Sequence, residues 1–240
     1  MKILQWNIWY KEDPENILTE LRRIDTDVCC LQEVTVNHPR HGIDVGQLLA
    51  KELGYHIYYH ESMADDQSSF GNAILSRFPI LESRHVFVQD PPPADTEENY
   101  SKEGRVYVEV KIDSGNRPVT VGTTHLSYTD RFIETDAKKF ESGKLSELVK
   151  GIKGEYVLTG DFNVVPDSYT VTELQKHLTH AGPDFSQKTW TTKPFSYNGF
   201  DATTLDWRLD YCFTSQEVSV VSASVVETLF SDHLPILLEI

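Results

Sequence analysis

Tyr156-Val157-Leu158-Thr159-Gly160-Asp161-Phe162-Asn163 is an apolar run that ends in an acid and an amide. A short apolar run bounded by Gly and Asx residues reads as a buried strand. Asp161 and Asn163 should therefore emerge at the strand end, where a rigid scaffold can hold side chains precisely. Ser231-Asp232-His233 repeats the layout later in the chain, after the apolar residues Val225-Val226 and Leu229-Phe230. Local readings exist for both: Asp-x-Asn after a strand forms Asx turns and helix caps, and Ser-Asp can simply begin a loop.

Two earlier strands carry matching groups. Leu4-Gln5-Trp6-Asn7 ends in an amide, and Val28-Cys29-Cys30-Leu31-Gln32-Glu33 ends in a carboxylate. Asn7, Glu33, Asp161, Asn163 and Asp232 offer only hard oxygen ligands, which suit Mg²⁺ or Mn²⁺ rather than a metal that prefers sulfur. His233 adds a base. A cation that polarises a phosphoryl oxygen, with a base that activates water, is the minimum equipment for phosphate ester hydrolysis.

In order along the chain, Trp6-Asn7, Gln32-Glu33, Gly71 to Arg77, Thr124-His125-Leu126, Gly160 to Asn163, Arg208-Leu209-Asp210-Tyr211 and Ser231-Asp232-His233 resemble the endonuclease/exonuclease/phosphatase superfamily. Its members include pancreatic-type deoxyribonucleases, exonuclease III-like repair enzymes and neutral sphingomyelinases. The resemblance implies a four-layer α/β sandwich, with two packed, mainly antiparallel sheets flanked by helices. It places Asn7, Glu33 and Asp232 on the metal side, with Glu33 a direct ligand. It sets Asp161 and Asn163 against the scissile phosphate and the water. His233 becomes the base or phosphate-binding imidazole, oriented by Asp210, and His125 serves the leaving group or phosphoryl oxygens, as in deoxyribonucleases and sphingomyelinases. The Trp207 to Tyr211 run is closer to the repair enzymes, but their Asn-Gly after the first-strand amide is replaced here by Ile8-Trp9, which counts against abasic-site specificity. The implied activity is a metal-dependent phosphodiesterase, in first place a DNA endonuclease. Phospholipid or small phosphate esters are the alternative substrates, and a non-catalytic binding module is the contrasting class.

The 240 residues suffice for one large core, and a single domain over residues 1–240 is expected. The formal net charge of -15 argues against the broad basic surface that drives tight, sequence-independent nucleic-acid binding. Arg22, Arg23, Lys138, Lys139 and Arg208 are available cations, although solvated helix faces account for most of them. Met1-Lys2 leads directly into a strand, without an apolar leader or a membrane-length run, so a cytoplasmic monomer without stable membrane association is expected. A processed secreted precursor is the alternative. Cys29 and Cys30 should point to opposite faces of their strand as buried, inert thiols.

Asp13-Pro14 should start a helix with an apolar stripe at Ile17, Leu18, Leu21 and Ile24, and a second helix should run from Val45 to Leu53, ending at Gly54. Strands are expected at 55–59, 72–76, 106–112 and 119–125, helices near 138–150 and 168–180, and strands again from Trp207 to Ile240. Gln89 to Gly104, with three consecutive prolines, reads as a loop. The pairs His38/His41 and His177/His180 are expected at the surface. Trp6 and Trp9 are candidates either for base stacking or for packing. Asn72 and Arg77 either flank the pocket or pack strand ends.

Overall fold

The computed structural model describes residues 1–65, 67–92, 103–115 and 117–240. In chain order the elements are β1 (Lys2–Asn7), α1 (Pro14–Ile24), β2 (Val28–Val36), α2 (Val45–Leu53), β3 (His56–Ala64), β4 (Ser69–Ser76), β5 (Ile80–Gln89), β6 (Arg105–Asp113), β7 (Pro118–His125), α3 (Asp136–Lys150), β8 (Tyr156–Asp161), α4 (Tyr169–Gln175), β9 (Thr179–Gly182), β10 (Phe195–Tyr197), β11 (Phe200–Ala202), β12 (Asp210–Thr214), β13 (Ser222–Val225) and β14 (Ile236–Glu239). Asp13 caps α1 by accepting from the Glu15 N–H, and Gly54 closes α2 in the left-handed conformation, as their residue types require.

Two six-stranded sheets form, ordered β13-β14-β1-β2-β4-β3 and β5-β6-β7-β8-β12-β9. Each is antiparallel except for one central pair, β1 with β2 and β7 with β8. Both exceptions arise from a helical crossover, since parallel neighbours cannot be joined by a tight turn. Ile3, Val28, Cys30 and Ile236 of the first sheet pack on Val106, Val121, Val157 and Cys212 of the second. Leu4, Cys29 and Leu31 face the opposite way, towards Ile17, Leu21 and Leu49 of the first two helices. Tyr156, Leu158 and Phe213 likewise meet Leu145, Val149 and Leu174 on the far side. The result is a four-layer α/β sandwich. Burial pushes the Cys29 thiol up to about 11 and that of Cys212 up to about 12, and all three cysteines are free.

Several local expectations change. The helix near 168–180 stops at Gln175, and Thr179–Gly182 instead pairs with β12 as an edge strand. Ile80–Gln89 is a strand that sequence reading missed, because its central run Glu82-Ser83-Arg84-His85 is polar and exposed and suits an edge rather than a core. Residues 93–102 of the expected 89–104 loop lie outside the described residues. β2 does not end at Glu33 but runs to Val36, with a bulge between Leu31 and Val34. No strand leads into Ser231 either: β13 stops at Val225, and Leu229 is 83% exposed, so Ser231 to His233 belong to the loop entering β14. Arg208 and Lys138 are buried rather than solvated, while Arg22 and Arg23 pair with Glu52 and Glu20. Among the described residues, no helix is long and apolar enough to cross a membrane.

Candidate active site

Strand direction gathers the polar residues at one end of the sandwich. β1, β7 and β8 finish there, at Asn7, His125 and Asp161. β12, antiparallel to β8, begins there, so that Asp210 sits in register with Asp161, and β14, antiparallel to β1, starts just after His233. His125 and Asp161 are register partners across the parallel pair. Gly160 permits this pairing, because a Cβ there would lie 2.3 Å from the Thr124 carbonyl oxygen.

Within the cluster the Asn7 amide donates to Glu33 Oε1 at 3.1 Å and to Asp161 Oδ2 at 3.0 Å, while its oxygen accepts from the Trp9 N–H. Asn7 therefore orients two carboxylates, and its oxygen is held by the Trp9 N–H. Glu33, held at φ 61 in the bulge, receives the Tyr10 N–H at its other oxygen. The bulge turns this side chain out of the strand's alternation. Asp161 Oδ1 takes the Asn163 N–H, and Ser231 Oγ takes the His233 N–H. Both local turn readings thus hold, and each leaves chemistry for the neighbouring groups.

His233 Nδ1 lies 2.8 Å from Asp210 Oδ2, and its Nε2 lies 3.5 Å from Asp161 Oδ2. The other Asp210 oxygen accepts from Gln5, which exchanges amide hydrogen bonds with Gln32. Sequence reading passed over these glutamines, although a buried amide inside an apolar strand must find partners. Trp6 is fully buried and donates to the His233 carbonyl, so it packs and does not stack bases.

Asn163 Nδ2 donates to the Leu126 carbonyl, which fixes the amide orientation; the same nitrogen lies 3.1 Å from His125 Nε2. The Asn163 amide hydrogen aimed at Nε2 favours the tautomer with the proton on His125 Nδ1, which is buried without a protein partner, while Asp161 Oδ2 lies 3.4 Å from the same Nε2.

Burial raises Asp161 and Asp232 to about 6, with Asp210 adding to the first and Glu33 to the second. It also raises Glu33. For His233, burial opposes the charge, but Asp210, Asp161 and Asp232 outweigh it and hold the imidazole well above its usual value. His125 is driven well below, by burial and then by Arg105, His233 and Lys138.

A cavity of about 660 Å³ is lined by Glu33, His125, Asp161, Asn163, Asp232 and His233, with Asn7 and Asp210 behind its wall. Trp9, Tyr10, Phe70, Trp190, Phe195 and the buried Arg105 also face it, as does His38. Phe195 stands in the β10–β11 hairpin, whose Asn198-Gly199 turn was a missed signal. Asp232 Oδ2 receives the Trp190 indole at 3.2 Å, and its Oδ1 is buried with no partner. Three carboxylates raised by burial, one with an orphaned oxygen, form a donor set that suits a hard divalent cation. Asp161, Asp210 and His233 also lie within 4.8 Å of one another, but the Asp210–His233 bond uses the groups that ligation would need.

Other candidates fall outside the cavity. Asn72 bridges to the Val106 carbonyl between the sheets, and Arg77 pairs with Asp25 beside Tyr55. Arg208 is spent on the carbonyls of Asp210, Pro183, Asp184 and Gln187. His180 is half-buried and packs on Phe185.

The profile of the Endonuclease/Exonuclease/phosphatase family matches residues 4–233. The chain belongs to that family. Bovine (Bos taurus) Protein angel homolog 2 is 32% identical over 178 residues, covering 69% of this chain and 30% of that protein. Drosophila melanogaster Protein angel is 28% identical, over 67% of this chain and 45% of its own length. The chain thus spans less than half the length of these curated relatives. The human Nocturnin catalytic domain with bound sulfate superposes with TM-score 0.67 at 21% identity, over 99% of this chain and 92% of that one. A zebrafish (D. rerio) TDP2 complex with single-strand DNA product gives 0.72 at 16%, covering 99% and 97%. The Bacteroides thetaiotaomicron mannosyl-6-phosphatase Bt3783 gives 0.71 at 17%, covering 100% and 98%. These likenesses establish the fold.

Proposed function

We propose that this family member is a divalent-cation-dependent phosphodiesterase, and that it acts on DNA as an endonuclease through an activated water. The observation that carries the reading is one cavity shared by Glu33, Asp161 and Asp232 on one side and the Asp210-held His233 on the other. Acidic oxygens alone would repel a phosphate. Mg²⁺ or Mn²⁺ held by Glu33 and Asp232, with Asp161 beside them, would supply the positive charge that offsets the phosphoryl oxygens.

The remaining roles belong to the chain itself. Asp210 keeps the His233 proton at Nδ1, so proton exchange with water or leaving group takes place at Nε2. His125 would offer its Nδ1–H to a phosphoryl or leaving-group oxygen as a neutral donor. Asn163 favours that tautomer, and Asp161 lies where it can align the attacking water. The aromatic side chains on the cavity wall favour a substrate with a flat apolar portion, such as a nucleotide. The DNA product bound to the related TDP2 fold supports the choice of nucleic acid.

A second reading rests on size, because a cavity of about 660 Å³ also fits a small phosphate ester. Incubating pure protein and Mg²⁺ with plasmid, abasic duplex, RNA, bis-p-nitrophenyl phosphate and a sugar phosphate separates the two. Nicking of closed circular plasmid, abolished by EDTA, is expected. Turnover of the sugar phosphate alone would replace the nuclease reading with the phosphatase one.

A further inference from the structure

Lys138 and Glu141 sit one turn apart on α3, both about 1% exposed, in a protein whose other helix cations are mostly solvated. Lys138 Nζ donates to the Ser127 carbonyl at 2.5 Å and to the Phe162 carbonyl at 2.8 Å, and lies 3.8 Å from Glu141 Oε2. Glu141 Oε1 accepts the Ser127 N–H at 3.0 Å and faces its hydroxyl at 3.4 Å. One helical turn therefore grips Ser127 by its N–H and its C=O, and Phe162 by its C=O. Ser127 follows His125 by two residues, and Phe162 separates Asp161 from Asn163.

The two gripped segments are already stitched together. Leu126 donates to the Asp161 carbonyl at 2.9 Å, Asn163 donates to the Leu126 carbonyl, and Phe162 donates to the Leu209 carbonyl just before Asp210. We infer that the buried Lys138–Glu141 pair is a positioning device, which sets the His125–Asn163 contact and so holds the His125 proton on Nδ1. Burying two charges is costly and contributes little net stability, whereas removing one partner strands the other. Such a pair is better explained by the geometry it enforces: two carbonyls from different strands meet one ammonium, and no apolar pair of similar size could hold them. A displacement near 1 Å at a reacting group can cost about 100-fold in rate.

This inference rests on reading His125 and Asn163 as parts of the reacting site, but its decisive measurement needs no substrate. Nitrogen-15 ring spectra of the histidines, recorded on the metal-free full chain, report the His125 tautomer directly. In Lys138→Met the His125 ring signals should leave the pure Nδ1–H position, while those of His180, packed on Phe185, stay put. With bis-p-nitrophenyl phosphate, kcat should fall about 100-fold with KM within about threefold. Glu141→Gln keeps the size and an acceptor for Ser127, so it should fold even if Lys138→Met does not, and should show the same ring shift at smaller amplitude. Unchanged His125 signals in either folded variant overturn the proposal, and so does a kcat within about threefold of wild type in Lys138→Met. If the wild-type chain hydrolyses no phosphate ester, the functional reading fails, and the ring spectra still decide the positioning role.

Discussion

Asp210 Oδ2 lies 2.8 Å from His233 Nδ1, while Asp210 Oδ1 accepts from Gln5 at 3.0 Å. The carboxylate that holds the imidazole is thus itself held from the opposite sheet, since Gln5 belongs to β1 and Asp210 to β12. Such an arrangement fixes both the ring plane and the tautomer of the histidine.

Asp210→Asn should leave the chain folded and lower turnover steeply. Removing the charge of the orienting carboxylate in a serine protease costs about 10⁴, and a smaller loss of about 10³ is expected here. His233→Ala should be little worse, and the double variant far from additive. Independent multiplication of the two losses in a kcat comparison would show that they do not act as a unit.

Asp161 and Asp232 sit at about 6 when folded, against 3.8 unperturbed, and His233 sits well above 6.5. The folded chain therefore binds more protons than the unfolded one on both counts. The carboxylates' contribution is complete below their unfolded value and lost as pH rises through about 6; that of His233 is complete below 6.5 and lost as pH climbs through its raised value. His125 and His180, held below 6.5, work the other way as pH falls through 6.5, so the test is a difference: without metal, Asp232→Asn should lose part of the Tm that wild type gains between about pH 7.5 and pH 5.5. Mg²⁺ should raise Tm more at the higher pH, where no proton competes for the carboxylates. Asp232→Asn should shrink that Mg²⁺ shift. A shift equal at both pH values, or intact in the variant, would remove Asp232 from the cation site.

Gly160→Ala would place a Cβ 2.3 Å from the Thr124 carbonyl and 2.7 Å from the Phe162 ring. Neither neighbour can give way without disturbing the β7–β8 pair. Chemical denaturation should show a loss of about 1–3 kcal/mol, with turnover falling as Asp161 and His125 move apart. Wild-type stability would mean that the strands are spaced more widely than described.

An acidic chain can make few phosphate contacts, so binding of a DNA oligonucleotide to His233→Ala should weaken only modestly with salt. The log–log slope should correspond to fewer than about eight neutralised phosphates. A steeper slope would call for a basic surface beyond the cavity.

Much of the architecture was legible because it is local. Asp13-Pro14 and Gly54 mark helix ends through backbone chemistry that needs no partner. The adjacent Cys29 and Cys30 point to opposite cores because a strand alternates. The motifs from Trp6-Asn7 to Ser231-Asp232-His233, taken in order, point to the family from sequence alone. Edge strands β5 and β9 were not legible, because polar edge positions carry no apolar alternation and are defined only by the strand beside them. Tertiary structure alone decided how the site residues are used. A bulge turns Glu33 into the cavity, a loop and not a strand delivers Asp232 and His233, and the Asn7 oxygen is claimed by Trp9. Lys138 and Arg208 look like surface cations in sequence, because nothing local distinguishes an ammonium in water from one held by buried carbonyls. The strand ends determine which groups can meet; the packing of two sheets and the hydrogen bonds between them determine which atom of each group faces the cavity.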